Sequence, residues 1–253
     1  MMMAKCSYNG GDKLDKKWKE LRSKIKPQFK AEVKDDKTVL ILSGDVVSNE
    51  YSWYEDDISP KRIQAVLDES PGELVIRLNS GGGDAFAGVE IYNMLKDYPN
   101  KVTVEVTGLA ASAASIVAMG ADEIIMCTGS MMMIHEAWTF AVGSKSDLQK
   151  TVDMMDKLDA SLVSIYAERL GLDKDFVSEL LKAETWMTAE EAVKDGFADS
   201  VKTKPVTQAT VEIEIADEIK AMLEDIKMMK ADFEGLKDKP KGNNLQRLFN
   251  KGV

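Results

Sequence analysis

The chain has 253 residues, of which 44% are hydrophobic and 30% charged, so it is long enough for one large domain with an appendage. Its net charge of −10 argues against nucleic acid as a main partner, because phosphate binding requires a basic surface. No apolar run approaches the length of a membrane-spanning helix, about 18 residues, and the N-terminus has no signal-peptide core. With only Cys6 and Cys127 for disulfide chemistry, we expect a cytoplasmic protein.

Three regions differ in composition. Residues 1–36 are polar and lysine-rich, which predicts a loosely held N-terminal arm. Residues 37–203 alternate strand and helix patterns, which predicts a compact α/β domain. Residues 204–253 predict a helical tail with a heptad seam about three repeats long, and this amphipathic helix could fold onto its own domain or bind another chain. The seam consists of Ile215, Ile219, Met222, Ile226, Met229, Phe233 and Leu236.

Within the central region, apolar and β-branched runs predict the strands, and capping signals with 3.6-residue periodicity predict the helices. The predicted strands are residues 38–42, 74–78, 102–106, 123–126 and 131–135. The predicted helices are residues 60–68, 85–96, 112–120 and 146–170, and a short one after Thr188. We expect the long helix to begin at a capping box in residues 146–149 and to end at Gly171.

A glycine-rich loop, Asn-Ser-Gly-Gly-Gly at residues 79–83, separates a predicted strand from a helix. Phosphate binding is disfavoured, because the lysine of a phosphate-binding loop is missing and Asp84 would repel the anion. The loop could instead present backbone N–H groups to an oxyanion, since glycine permits close approach. A plain tight turn remains the alternative.

His135 is the only histidine of the chain, and Ser112 ends a turn of small residues, Gly-Leu-Ala-Ala-Ser, at 108–112. A serine hydroxyl is a weak nucleophile until a base of near-neutral pKa accepts its proton. If the chain is a serine hydrolase, its base must therefore be His135. A lone histidine can also be an ordinary packed or surface residue, so these two residues alone leave the function open.

The ordered set of motifs resembles the ClpP family of serine peptidases, family S14. The matching segments are the loop at 79–83, Gly-Val-Glu-Ile-Tyr at 88–92, the turn at 108–112, Met-Ile-His at 133–135, and Glu-Ala with Gly-x-x-Asp within 191–199. The resemblance covers roughly residues 38–201 and implies the ClpP/crotonase-like fold of repeated β-β-α units. One departure is Gly81, where the family has proline, which loosens the unbound loop.

The resemblance implies roles for named residues. Ser112 would be the nucleophile and His135 the general base, and the N–H groups of Gly82 and Ala113 would form the oxyanion hole. Ser115 is a competing hydroxyl, but it lies outside the motif position. We expect no cofactor and no metal.

The third member of the triad departs from the family pattern. Where the family usually has aspartate, this chain has Glu184, whose longer side chain can also orient an imidazole. Asp199, or a Ser–His dyad without an acid, remains an alternative. The stretch 137–143 would bind an extended substrate by β-augmentation, and the long helix would match the family's "handle", through which rings face each other. The predicted substrate-binding residues are Gly83, Ala137, Val142 and Gly143.

The arm, an acidic and aromatic insert at 49–57 and the C-terminal tail resemble the ClpP-like proteases of tailed phages and prophages. The implied role is cleavage of capsid or scaffold proteins in head maturation, by a homo-oligomeric ring in the bacterial cytoplasm or inside a procapsid. One alternative is a housekeeping ClpP peptidase that works with a Clp-type ATPase. Others are an inactive assembly factor and a crotonase-like acyl-CoA enzyme, which the serine and lone histidine fit poorly.

Overall fold

The computed structural model describes residues 24–52 and 54–202. The predicted heptad helix and most of the predicted N-terminal arm lie outside these described residues. No helix among the described residues is long and apolar enough to cross a membrane.

One mixed sheet organises the described chain. Its strands are β1 (Gln28–Lys34), β2 (Lys37–Ser43), β3 (Glu73–Ser80), β4 (Val102–Ala111), β5 (Glu123–Cys127), β6 (Met131–Ile134), β7 (Thr185–Thr188) and β8 (Ser200–Lys202). The main order is β1-β2-β3-β4-β5-β8, and β6 pairs with both β4 and β7. Strands β2 to β5 and β8 run parallel, whereas β1 and β7 are each antiparallel to their neighbour. Parallel strands require crossover connections, and helices supply them here.

The helices are α1 (Pro60–Glu69), α2 (Ala85–Lys96), α3 (Ala113–Met119), α4 (Lys145–Leu170), α5 (Lys174–Lys182) and α6 (Ala189–Lys194). This alternation of strands and helices confirms the predicted α/β class. Alternate residues of the central strands are fully buried, as expected for a sheet covered by helices. Leu40, Leu42, Ile76, Leu78, Val104 and Val106 form the middle of this core.

Strand β4 pairs with different strands along its two halves, and this arrangement positions the site. Its first half, Thr103 to Val106, pairs with β5. Its last residues, Leu109 to Ala111, pair in parallel with β6 instead. The chain segments that follow β4 and β6 therefore emerge side by side at the same edge of the sheet.

The start of α4 was predicted wrongly. Its N-cap is Ser144, whose hydroxyl accepts a hydrogen bond from the N–H of Asp147, and the Asp147 carboxylate accepts from the Ser144 N–H in return. The predicted box at 146–149 is not used because Ser146 already lies in the first helical turn. The predicted end is confirmed, since Gly171 adopts the left-handed conformation with φ of 63°.

Strand β1 lies within the region predicted as an arm, and the sequence analysis did not identify it. Most of its residues are exposed, so it lacks the half-buried alternation that marks a strand in sequence. It forms because a tight turn, in which Asp35 has a φ of 55°, folds it back against β2. Helix α5 and the short strands β7 and β8 were also not predicted.

Candidate active site

Ser112 occupies a strained turn between β4 and α3. Its φ of 55° and ψ of −128° lie in a region that residues with a side chain rarely adopt. The Ser112 N–H donates to the carbonyl of Met133 on β6 at 2.9 Å. The turn thereby extends the β4–β6 pairing while it exposes the serine hydroxyl at the start of the helix.

His135 meets this hydroxyl directly. Ala111 and Met133 are register partners in the β4–β6 pair. Ser112 is the next residue after Ala111 and His135 is the second residue after Met133, so both lie just beyond the paired ends of the two strands. The Nε2 atom of His135 lies 2.8 Å from the Oγ of Ser112. This distance is within the range for proton transfer between a nucleophile and its base. The structure thus brings together the two residues that the motifs singled out.

Burial lowers the pKa of His135 below its ordinary value of 6.5. The negative charges of Glu184 and, to a lesser extent, Asp159 act in the opposite direction and raise it. Because burial dominates, the imidazole is held neutral near physiological pH, which is the protonation state that a general base requires.

Glu184 is close to His135 but is not bonded to it in this structure. It lies in the turn before β7 with a φ of 49°, and its residue is exposed. Its carboxylate accepts a hydrogen bond from the Trp186 indole at 3.1 Å, and none of the hydrogen bonds of the described residues joins it to His135. Asp199, the alternative acid, is engaged elsewhere, because its carboxylate pairs with Arg169 and accepts from the Ile124 N–H.

The glycine loop packs against the nucleophile turn. A β-carbon on Gly82, whose φ is 87°, would lie 2.5 Å from the carbonyl oxygen of Ala111 and 2.8 Å from the amide nitrogen of Ala113. Only glycine fits there. The Gly82 N–H, a predicted oxyanion donor, donates to the Ser80 hydroxyl at 3.0 Å. Ala113 is the first residue of α3, and its N–H therefore has no intrahelical acceptor.

A cleft of about 460 Å³ opens at Ser112 and His135. Much of its lining is apolar, namely Ile116, Met133, Met154, Met155, Leu158 and Leu162. Two exposed aromatic residues, Phe86 and Trp138, also line it. This shape can bury an apolar side chain next to the reacting serine.

Two of the four predicted substrate-binding residues, Gly83 and Ala137, line this cleft, whereas Val142 and Gly143 do not. The N–H of Ala137 is already used, because it donates to the carboxylate of Asp159 on α4 at 2.7 Å. Asp159 was not predicted as a site residue, since a single charged residue on a long helix is typical of a solvated face. Within the part of the chain that the structure describes, no group of His, Cys, Asp and Glu side chains could hold a metal ion.

A strained serine within hydrogen-bond distance of a half-buried histidine, beside an apolar cleft in an α/β protein, is the arrangement that serine hydrolases use. The family model for Clp protease matches residues 58–205, and the chain belongs to this family. The predicted ClpP-like resemblance is thereby confirmed.

Individual relatives agree with the family model. The ATP-dependent Clp protease proteolytic subunit of Bacteroides fragilis is 34% identical over 156 residues, which are 59% of this chain and 75% of the relative. Proteolytic subunit 1 of Protochlamydia amoebophila is 33% identical over 136 residues, 52% of this chain and 66% of the relative. A ClpP1 mutant from Listeria monocytogenes matches with a TM-score of 0.56 at 21% identity, covering 66% of this chain and 92% of that one. This last likeness shows the fold.

Proposed function

We propose that the chain is a serine endopeptidase of the ClpP type, with Ser112 as nucleophile and His135 as general base. The observation that carries this proposal is the 2.8 Å contact between Ser112 Oγ and His135 Nε2. His135 accepts the hydroxyl proton as Oγ attacks the scissile carbonyl, and then donates it to the leaving amine. Water hydrolyses the acyl-enzyme in the same way, with His135 again as base.

The developing oxyanion needs donors at the nucleophile. The N–H of Ala113 and an N–H of the glycine loop supply them in this proposal. Gly82 would give up its bond to the Ser80 hydroxyl to act as that donor, whereas Gly83 lines the cleft directly. Glu184 supports the imidazolium through its charge, as the direction of its effect on the pKa of His135 indicates.

For the physiological role we propose cleavage of capsid or scaffold proteins in phage or prophage head maturation, by a homo-oligomeric ring in the bacterial cytoplasm or inside a procapsid. The support is the chain outside the matched region, namely the N-terminal arm, the acidic insert and about 50 C-terminal residues. A second candidate is a proteolytic subunit that works with a Clp-type ATPase. The names of the relatives favour it, since those proteins are subunits of ATP-dependent Clp proteases.

The intact mass of the protein after reaction with a fluorophosphonate tests the chemistry. We expect one adduct on the wild type and on the control Ser161→Ala, which changes an exposed serine on α4, and none on Ser112→Ala or His135→Ala. An unlabelled wild type in its largest assembled form would contradict peptidase activity and would favour the inactive assembly factor.

The role is tested with the same preparation. Cleavage of capsid or scaffold protein without added ATPase would support head maturation. Protein degradation that requires a Clp ATPase and ATP, with capsid protein left intact, would support the second candidate instead.

A further inference from the structure

We propose that Asp159, on helix α4, is a positioning residue that fixes the segment after His135 and places a second negative charge near its imidazole. This inference rests on the proposed peptidase function, because it concerns how that function's base is held. Glu184 was the acid expected from the motifs, and Asp159 lies outside all of them.

The first support is the hydrogen bond that Asp159 makes. Its carboxylate accepts from the N–H of Ala137 at 2.7 Å, and Ala137 lies only two residues after His135. A charged acceptor makes such a bond shorter and stronger than a neutral one. Asp159 is partly buried, so solvent competes less for the bond than it would at an exposed site.

The second support is the anchorage on the other side of the same segment. The N–H of Glu136 donates to the carbonyl of Leu181 on α5 at 3.2 Å, and that carbonyl also accepts from the N–H of Glu184 at 3.0 Å. The two residues after His135 are thus fastened to two different helices. The N–H of Ala137 already donates to Asp159. We therefore infer that Ala137 contributes to substrate binding by anchoring the segment and not by donating a hydrogen bond to the substrate.

The third support is electrostatic. In the described part of the chain, four carboxylates lie on the elements around His135: Glu184 before β7, Asp159 on α4, Asp84 after the glycine loop and the adjoining Glu136. Asp84 accepts from the Ala87 N–H, where it caps α2, and Glu136 interacts with Lys182. Among the residues that the structure describes, only Glu184 and Asp159 raise the pKa of His135. Of these two, Asp159 is the one that also bonds to the histidine's own segment.

The test compares Asp159→Asn, Asp159→Ala and the control Asp156→Asn in the full chain. Asp156 is an exposed carboxylate on α4, three residues before Asp159. For each variant, the rate of fluorophosphonate labelling is measured against pH, and kcat and KM are measured with a fluorogenic peptide. Ionic strength is held at about 0.15 M, where exposed charges more than about 8 Å apart are largely screened.

We expect the acid limb of the Asp159→Asn profile to move to lower pH, because loss of the negative charge lowers the pKa of His135. The asparagine side chain retains an oxygen that can accept from Ala137, so KM changes little. Asp159→Ala loses both charge and anchor, and its kcat/KM falls by about 10- to 100-fold. Asp156→Asn should match the wild type.

A purely structural role for Asp159 would leave the pH profile of the asparagine variant superimposed on that of the wild type. This result would overturn the inference about Asp159 but would leave the proposed peptidase function standing. If the wild type is not labelled at all, the proposed function fails first and the inference fails with it. Circular dichroism confirms that each variant is folded, and the asparagine variant, with its retained acceptor, decides the question if Asp159→Ala does not fold.

Discussion

The hydroxyl of Ser115 lies 2.8 Å from the hydroxyl of Tyr166, and both side chains are almost completely buried. Ser115 also donates to the carbonyl of Ser112 at 2.7 Å, so the Tyr166 hydroxyl must be the donor to Ser115. Ser115 is therefore part of the support of the nucleophile turn. Its burial and its two bonds argue against it as the competing nucleophile.

The contact between Ser115 and Tyr166 predicts that substitutions of the two residues have coupled effects on the free energy of unfolding. Ser115→Ala and Tyr166→Phe should each lower the free energy of unfolding by about 1–3 kcal/mol, because each removes the hydrogen bond between two buried hydroxyl groups. The double variant should lose less than the sum of the two, with a coupling free energy of about 0.5–3 kcal/mol. Urea unfolding of the four proteins measures this, and strictly additive losses would contradict the shared bond. Both single variants should still be labelled at Ser112.

Glu184→Gln should reduce kcat/KM on the order of 10-fold, far less than the about 10⁴-fold loss in enzymes whose acid is bonded to the histidine. The reason is that Glu184 acts on His135 through charge, while its carboxylate bonds to Trp186. The acid limb should also move to lower pH, because removal of the charge lowers the pKa of His135. Glu179→Gln, an exposed carboxylate on α5 paired with Lys182, is the control. A loss as complete as that of His135→Ala would mean that Glu184 bonds to the imidazole in the working enzyme.

The wild type should remain active at pH values somewhat below 6.5, where a histidine with the ordinary pKa would be mostly protonated. Activity needs neutral His135, so the rate rises with pH through the pKa of that residue. Burial lowers this pKa below 6.5, and the midpoint of the acid limb should therefore lie below pH 6.5. The labelling rate between about pH 5 and 8 measures it. A midpoint at or above 6.5 would mean that the charges of Glu184 and Asp159 outweigh burial.

Gly82→Ala should abolish most activity, by more than about 100-fold. The added methyl group would meet the Ala111 carbonyl and the Ala113 amide, which displaces the nucleophile turn. Gly129→Ala is a matched control, because Gly129 also has a positive φ, of 80°, but a β-carbon there would meet no atom within 4 Å. In both variants the strained backbone lowers the free energy of unfolding by about 1–3 kcal/mol. Equal activity losses in both would attribute the effect to backbone strain and not to the contact with the turn.

The sequence was sufficient for the central sheet and for the Ser112–His135 pair, because both depend on local patterns and short motifs. It was insufficient where the deciding contact is distant in the chain. Asp159 approaches Ala137 across 22 residues, and no local pattern distinguishes it from Asp156. Strand β1 was not predicted for a related reason. It is a strand because it pairs with β2, and its residues are too exposed to show the alternating pattern of a buried strand.

Asp159 and Tyr166 are seven residues apart on α4, two helical turns, and so lie on the same side of that helix. One residue holds the segment of the base, and the other supports the turn of the nucleophile. A movement of α4 as a rigid body would therefore remove the support of the base and the support of the nucleophile in one step. If partial activity arises from such a movement, the preparation is a mixture of two populations: the label would reach only a fraction of the molecules, but would react with that fraction at the full rate.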